Sequence, residues 1–204
     1  LILKLLSLIT ACGGSSGTNT TSTKPIPDEI QDPNKPVTFK IEGTSAIMVG
    51  VIDASTITAV KNLLANNPEV IKIIMKNVPG SIDDDSNLIA SRLVRESGQL
   101  TTHVPADGIV ASGGTDFFLA GINRTAKVGA KFGVHSWADG TGVLPNNLPR
   151  TDSRHKIYLD YYREMGIPED FYWFTLQAAP ADGIHNMTEV ELNQYNILTE
   201  ALEY

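Results

Sequence analysis

The chain has 204 residues, of which 42% are hydrophobic and 7% aromatic, and its formal net charge is −7. This length and composition are typical of one folded domain with a tail. The acidic balance argues against nucleic-acid binding and against a polybasic membrane patch. The chain holds a single cysteine, Cys12, so an intramolecular disulfide is excluded.

The first residues have the character of a secretion signal. Residues 1–11 are apolar apart from one lysine and are too short to span a bilayer. Ile9-Thr10-Ala11-Cys12 resembles the lipobox of bacterial lipoproteins, in which the cysteine is lipidated. We therefore expect 1–11 to be a truncated lipoprotein signal peptide. Cys12 would then anchor the protein to a membrane of the bacterial envelope, facing the periplasm or the exterior. The alternative is a buried hydrophobic strand or helix.

The segment 12–36 consists mostly of Gly, Ser, Thr, Asn, Pro and Asp, with almost nothing to bury. Such composition is typical of a flexible tether. The folded domain is predicted to cover 37–204.

Strand and helix patterns alternate through that domain. Short apolar or alternating runs predict strands at 37–41, 46–49, 70–75, 100–104, 126–128 and 131–134. Helical periodicity predicts helices from 53, around 88–94 and over 112–120, and a mainly helical region from 152 onward. This alternation predicts an α/β fold with a mostly parallel sheet and C-terminal helices.

Two polar or aromatic runs have structural interpretations. Asp83-Asp84-Asp85 lacks the glycine and glutamate spacing of a calcium-binding EF-hand loop, and it is predicted to cap a helix and charge its first turn. The run 171–174, Phe-Tyr-Trp-Phe, is predicted to pack the C-terminal helices, with a substrate wall as the alternative.

A serine between small residues suggests chemistry. Ser112 follows Gly108-Ile-Val-Ala111 at a strand-to-helix turn, and His135 follows about twenty residues later. A serine becomes a nucleophile when a base takes its proton, and a helix start supplies N–H groups to an oxyanion. A second turn, Pro79-Gly80-Ser81, occupies a similar junction. In a parallel sheet both turns are expected to face one crevice.

The order of these elements resembles the Clp-type serine peptidases of the Clp/crotonase superfamily. The carrying motifs are 77–81 (Asn-Val-Pro-Gly-Ser), 108–113, 120–124 (Ala-Gly-Ile-Asn-Arg) and 133–135 (Gly-Val-His). The motif 179–188, with Glu-Leu after it, is similar to that of shorter exported relatives. The resemblance implies a spiral of ββα units, a homo-oligomer and a peptide or protein substrate.

The resemblance also implies roles for individual residues. Ser112 would be the nucleophile, His135 the general base, and the N–H groups of Ser81 and Gly113 the oxyanion hole. Asp182 would be the triad acid that holds the imidazole tautomer.

Other residues are alternatives for the triad acid and for the base. Glu169 and Asp170 are substitutes for the acid, and Lys127 or Lys131 would serve a Ser–Lys dyad. His103, His155 and His185 are interpreted as structural or surface groups. No metal and no cofactor is expected.

The chain departs from the family pattern at two positions. Ser81 ends a turn that is usually Pro-Gly-Gly, and Gly113 stands where a larger residue usually follows the nucleophile. No extra loop for an ATPase partner is visible. The sequence thus predicts an ATP-independent, envelope-anchored serine peptidase. A non-catalytic binding or scaffolding lipoprotein is the alternative, and an acyl-CoA enzyme is disfavoured by export.

Overall fold

Short runs of β-branched and apolar residues build one sheet, and amphipathic helices cover it. The computed structural model describes residues 32–138 and 141–204. The predicted signal segment 1–11, Cys12 and most of the predicted tether lie outside the described residues. Backbone pairing begins at Lys35, whose carbonyl accepts from the Val51 N–H at 2.8 Å.

Eight strands occur among the described residues. They are β1 (Thr38–Glu42), β2 (Ser45–Val49), β3 (Lys72–Val78), β4 (Thr101–Val104), β5 (Ile109–Ala111), β6 (Asn123–Ala126), β7 (Lys131–Val134) and β8 (His185–Asn186). The helices are α1 (Thr56–Asn66), α2 (Asp84–Glu96), α3 (Gly113–Phe118), α4 (Ser153–Glu164), α5 (Glu169–Ala178) and α6 (Glu189–Gln194), with a 3-10 turn at Pro145–Asn147.

The sheet is mixed and mostly parallel. β1 pairs with β2, and β7 with β8, in antiparallel fashion, whereas the other pairs are parallel. The sheet forks at β3, because Lys72, Ile73 and Ile74 pair with β4, while Asn77 and Val78 pair with β5. The branch β3–β5–β7 brings three carboxyl ends side by side, which is where α/β proteins place their sites.

Three helices, α2, α4 and α6, begin after a residue whose side chain accepts from a free backbone N–H group. The Asp83 carboxylate accepts from the Ser86 N–H at 3.0 Å, so the predicted cap of this helix is confirmed. That bond lowers the pKa of Asp83. Thr188 and Glu191 form a capping box at the start of α6.

The core lies between the sheet and the helices. Phe117 and Phe118 are fully buried on α3, and the Phe118 ring meets Phe132 of β7 edge to face, with centroids 5.0 Å apart. This packing anchors the short helix that follows Ser112. Within residues 32–138 and 141–204, no helix has the length and apolar character needed to cross a bilayer.

The predicted α/β class with a mostly parallel sheet is confirmed. Three details differ. β5 and β8 were not predicted, because segments of three and two residues show no periodicity of their own. β6 begins at Asn123 rather than Ala126, since pairing with β4 decides its extent.

Candidate functional site

A cavity of about 40 Å³ lies at the carboxyl ends of β5 and β7. That volume holds one to a few water molecules or a reacting group. Its walls combine hydroxyl, imidazole, carboxyl and aromatic side chains from distant parts of the chain. They come from Asp84, Ser112, Gly113, Asp116, Val134, His135, Trp137, Tyr158, Tyr162, Tyr172 and Thr175. The structure thus brings the predicted Ser112, Gly113 and His135 to one place.

Ser112 has a backbone conformation that side-chain-bearing residues rarely adopt. Its φ is 52° and its ψ is −130°. A non-glycine residue in such a region costs on the order of 1–3 kcal/mol, and the surrounding structure must hold it there. The Ser112 N–H donates to the Gly133 carbonyl at 2.9 Å, and the Thr115 hydroxyl donates to the same oxygen. These bonds tie the turn between β5 and α3 to the strand that precedes His135.

The turn after β3 packs directly against the turn after β5. A β-carbon added at Gly80 would lie 3.3 Å from the Ser112 β-carbon. One added at Gly113 would lie 2.6 Å from the Ser81 β-carbon, well inside contact distance. Among the described residues, the N–H groups of Ser81 and Gly113 have no acceptor. Ser81 and Gly113 are therefore neighbours, and each has an unpaired N–H group.

His135 is half-buried directly after β7. Its Nδ1 lies 2.8 Å from the Ser136 carbonyl oxygen, and a carbonyl only accepts. The proton therefore sits on Nδ1, which leaves a lone pair on Nε2. Within the described parts of the chain, no hydrogen bond joins His135 to Ser112. Both side chains line the same cavity, however.

Asp182 makes no hydrogen bond to His135 among the described residues. It is exposed in the turn that precedes β8, and it does not line the Ser112 cavity. The His135 Nδ1 lies beside the Ser136 carbonyl instead. The role of Asp182 as the triad acid stays a prediction from the sequence.

The alternative residues also lie elsewhere. Glu169 accepts from the Arg163 guanidinium at 2.7 Å on the surface, and Asp170 is exposed at the start of α5. Lys127 and Lys131 are exposed, and neither lines the Ser112 cavity.

Two carboxyl groups that the sequence did not single out for the site do line the cavity. Asp116 lies four residues after Ser112 on α3, and it accepts from the Tyr162 hydroxyl at 2.7 Å. The pKa of Asp116 is raised to about 7. Burial is the main cause, the charge of Asp84 adds to it, and the hydrogen bond from Tyr162 acts in the opposite direction. Asp84 accepts from the Tyr158 hydroxyl at 2.8 Å. The sequence analysis did not select Asp116. Its position in the first turn of the helix that follows Ser112 is the sequence signal that could have found it.

Aromatic side chains form the wall opposite the two turns. Trp137 stacks on Tyr158 with centroids 6.3 Å apart, and Tyr158 stacks on Tyr172 at 5.7 Å. The Trp137 indole donates to the Tyr172 hydroxyl at 2.9 Å. An adjoining cleft of about 230 Å³ shares Asp84, Trp137 and Tyr158 with the cavity. Of the run 171–174, Tyr172 faces the cavity while Phe171 is buried in the core.

The other histidines lie outside the cavity. His103 is buried with its Nδ1 2.8 Å from the Thr125 hydroxyl, and burial lowers its pKa. His155 is fully buried beside the Tyr172 hydroxyl at 2.6 Å. His185 pairs with the Glu191 carboxylate at 3.0 Å. Across the described ranges, no group of three or more His, Cys, Asp or Glu side chains is placed to hold a metal ion.

No protein-family model matches the chain, and no curated protein matches it with significant similarity. The residues around Ser112 are therefore the basis for assigning a function.

Proposed function

We propose that the protein is a Clp-like serine hydrolase, acting as an ATP-independent peptidase with Ser112 as nucleophile and His135 as general base. The observation that carries this is the Ser112 backbone. A serine held at φ 52° between a strand and a helix has its hydroxyl presented at the top of the sheet, as in the nucleophile turns of other hydrolases. The fold supports a spiral of ββα units, since β1–β2–α1 and β4–β5–α3 repeat that order.

The proposed reaction passes a proton through His135 in each of two stages. In the first, the Ser112 Oγ attacks a peptide carbonyl carbon, and its proton passes to the His135 Nε2. The tetrahedral intermediate then collapses, the C–N bond breaks, and Nε2 gives the proton to the leaving amine. In the second, water attacks the acyl-enzyme and gives a proton to Nε2; the ester C–O bond to Ser112 breaks, the acid product leaves, and the proton returns from Nε2 to the Ser112 Oγ.

The oxyanion is the charge that this site must stabilise. The unpaired N–H groups of Ser81 and Gly113 are the donors we assign to it, because they are adjacent and lie beside the Ser112 turn. The His135 tautomer is held by the Ser136 carbonyl, which takes the orienting role that a carboxylate has in a Ser-His-Asp triad. The absence of a Ser112–His135 bond among the described residues is compatible with this role, since such bonds often tighten when substrate binds.

A fluorophosphonate probe tests the proposal, because it forms a covalent bond with an activated serine. We expect wild type to be labelled, Ser112→Ala to be unlabelled, and His135→Gln to be labelled at least about 100-fold more slowly. Ser136→Ala serves as a matched control for a serine in the same region whose backbone carbonyl is retained. No labelling of folded wild-type protein would overturn the proposal.

A second candidate is a non-catalytic binding or scaffolding protein. The lack of a hydrogen bond between Ser112 and His135 within residues 32–138 and 141–204 favours it. Under this proposal, fluorophosphonate would not react with the folded protein, while Ser112→Ala would leave its peptide or protein binding unchanged. Lipid attachment at Cys12, location in the bacterial envelope and assembly into a homo-oligomer remain expectations from the sequence under either function.

A further inference from the structure

The oxyanion turn is connected to α4 by an uninterrupted chain of side-chain hydrogen bonds. The Ser81 hydroxyl donates to one carboxylate oxygen of Asp84, and the Tyr158 hydroxyl donates to the other at 2.8 Å. Both oxygens of Asp84 are thus occupied by neutral donors. The chain joins the turn after β3, the first turn of α2 and the middle of α4.

Ser81 is also fixed from its other side. Its side chain fills the space over the α-carbon of Gly113, where an added β-carbon would lie 2.6 Å from the Ser81 β-carbon and 2.8 Å from the Asn87 amide nitrogen. Asn87 in turn donates to the Gly113 carbonyl at 2.9 Å. The side chain at 81 and the bare α-carbon at 113 therefore fit as a matched pair.

Tyr158 is suited to be a constant donor. Burial, together with the neighbouring Asp84 charge, raises its pKa well above the usual range. Its ring is held between Trp137 and Tyr172, with stacking angles of 16° and 11°. The hydroxyl thus has a fixed position and keeps its proton at all ordinary pH values.

We infer that Ser81, Asp84 and Tyr158 form a positioning chain for the oxyanion hole, so that α4 controls the direction of the Ser81 N–H. The N–H and the hydroxymethyl group of Ser81 are attached to the same α-carbon, so anchoring the hydroxyl on Asp84 restricts the rotation of the turn that carries the N–H. Preorganised donors stabilise an oxyanion best when they need not reorient during the reaction. This inference rests on the proposed hydrolytic function. It makes Asp84 and Tyr158 positioning residues, which act through Ser81.

The test measures the bimolecular rate of fluorophosphonate labelling in the full chain. Ser81→Ala and Tyr158→Phe each remove one hydroxyl, and each is expected to slow labelling about tenfold. The double variant is expected to be no slower than the slower single variant, because both break the same chain. Tyr161→Phe is the matched control. Its hydroxyl also leaves α4, donating to the Asp116 carbonyl at 2.6 Å, but it does not reach Ser81.

Unchanged labelling in Ser81→Ala and Tyr158→Phe, with wild type labelled at Ser112, would overturn the inference alone. So would fully additive rate losses, since they would show that the two hydroxyls act separately. If folded wild type is not labelled at all, the proposed hydrolysis fails. The coupling between Ser81→Ala and Tyr158→Phe in unfolding free energy then tests the chain independently, and zero coupling would overturn it.

The Ser81–Gly113 fit provides a second test on the same chain. Gly113→Ala is expected to slow labelling at least about 100-fold, because its methyl group would displace the Ser81 side chain. Adding Ser81→Gly removes that collision and is expected to recover a large part of the rate. Failure of Ser81→Gly to improve Gly113→Ala, in a protein that remains folded, would contradict the matched pair.

Discussion

The Ser112 turn, with the Ser81 turn packed against it, and the C-terminal helices that line the Ser112 cavity are fixed in different ways. The turns are held by backbone hydrogen bonds and by close contacts at glycine, as the Ser112 N–H and Gly113 show. α4 and α5 contribute the ends of long side chains, such as the hydroxyls of Tyr158 and Tyr162.

This difference separates two kinds of control over the site. Backbone that is packed against backbone has no room to adjust, so changes there should damage the fold itself. A tyrosine end can be removed while the ring stays packed, so changes there should alter hydrogen bonding and protonation. Substitutions in the two regions should therefore differ in how much they affect folding and how much they affect protonation.

Gly114→Ala is expected to be the most damaging of these substitutions. A β-carbon at 114 would overlap the Val78 carbonyl oxygen and lie 3.1 Å from the Val78 carbonyl carbon, so β3 and α3 must separate. We expect a loss of on the order of 3 kcal/mol or more in unfolding free energy, measured by denaturant titration.

Gly166→Ala is its control, since it has open space and a φ of +73°. Its left-handed backbone alone should cost about 1 kcal/mol. Equal losses in the two variants would show that the contact at Val78 relaxes easily.

Arg124→Met tests how the chain end is held. The buried guanidinium donates to the carbonyls of Ile197 at 2.8 Å and Asn196 at 3.0 Å, and burial lowers its pKa to about 10. Removing it strands these acceptors, so we expect a loss of about 2–3 kcal/mol in thermal or chemical unfolding. Arg163→Met, on the exposed face of α4, should have a much smaller effect on unfolding, because its ion pairs are exposed to solvent. A small effect at Arg124 would mean that water replaces its bonds.

Asp116→Asn tests protonation in the cavity. The folded-state pKa is raised to about 7 from an ordinary value of 3.8, so between these pH values the folded protein holds a proton that the unfolded chain has released. Stability from this group is therefore full below pH 3.8 and falls as pH rises toward 7.

The asparagine can still accept from Tyr162 but does not titrate. Its stability relative to wild type should rise by on the order of 2 kcal/mol between pH 4 and pH 8, followed by thermal unfolding. A pH-independent difference between the two proteins would show that Asp116 keeps an ordinary pKa.

Asp182→Asn and Glu169→Gln should have the smallest effects. Asp182 is exposed, and Glu169 pairs with Arg163 on the surface. Both variants should keep the fluorophosphonate labelling rate within about threefold of wild type. A loss in Asp182→Asn as large as that in His135→Gln would restore Asp182 as the triad acid and break the distinction between the two regions.

Local patterns were sufficient for most elements and for part of the site. Strands such as β3 and the Asp83 cap could be read from a few adjacent residues. Ser112 and His135 could be found because each directly follows a strand, Gly113 comes next to Ser112, and strand ends converge in a parallel sheet. β8 could not be found, because two residues become a strand only by pairing with β7.

The carboxyl groups near Ser112 could not be predicted from local sequence patterns. Asp182 was selected by its separation along the chain, yet it is exposed, and the His135 Nδ1 lies beside the Ser136 carbonyl. Asp84 was interpreted only as part of a helix cap, and its link to Tyr158 spans 74 residues. No local signal encodes a contact of that range.

The sequence by itself determined the α/β class, the Asp83 helix cap and the presence of two strand-to-helix turns, because these follow from patterns of residues that are close in the chain. Only the tertiary structure decided which groups surround that serine. The positions of Asp116, Tyr158 and the partner of His135 depend on how the C-terminal helices pack over the forked sheet. Packing is a property of the whole buried surface, so no single segment carries that information.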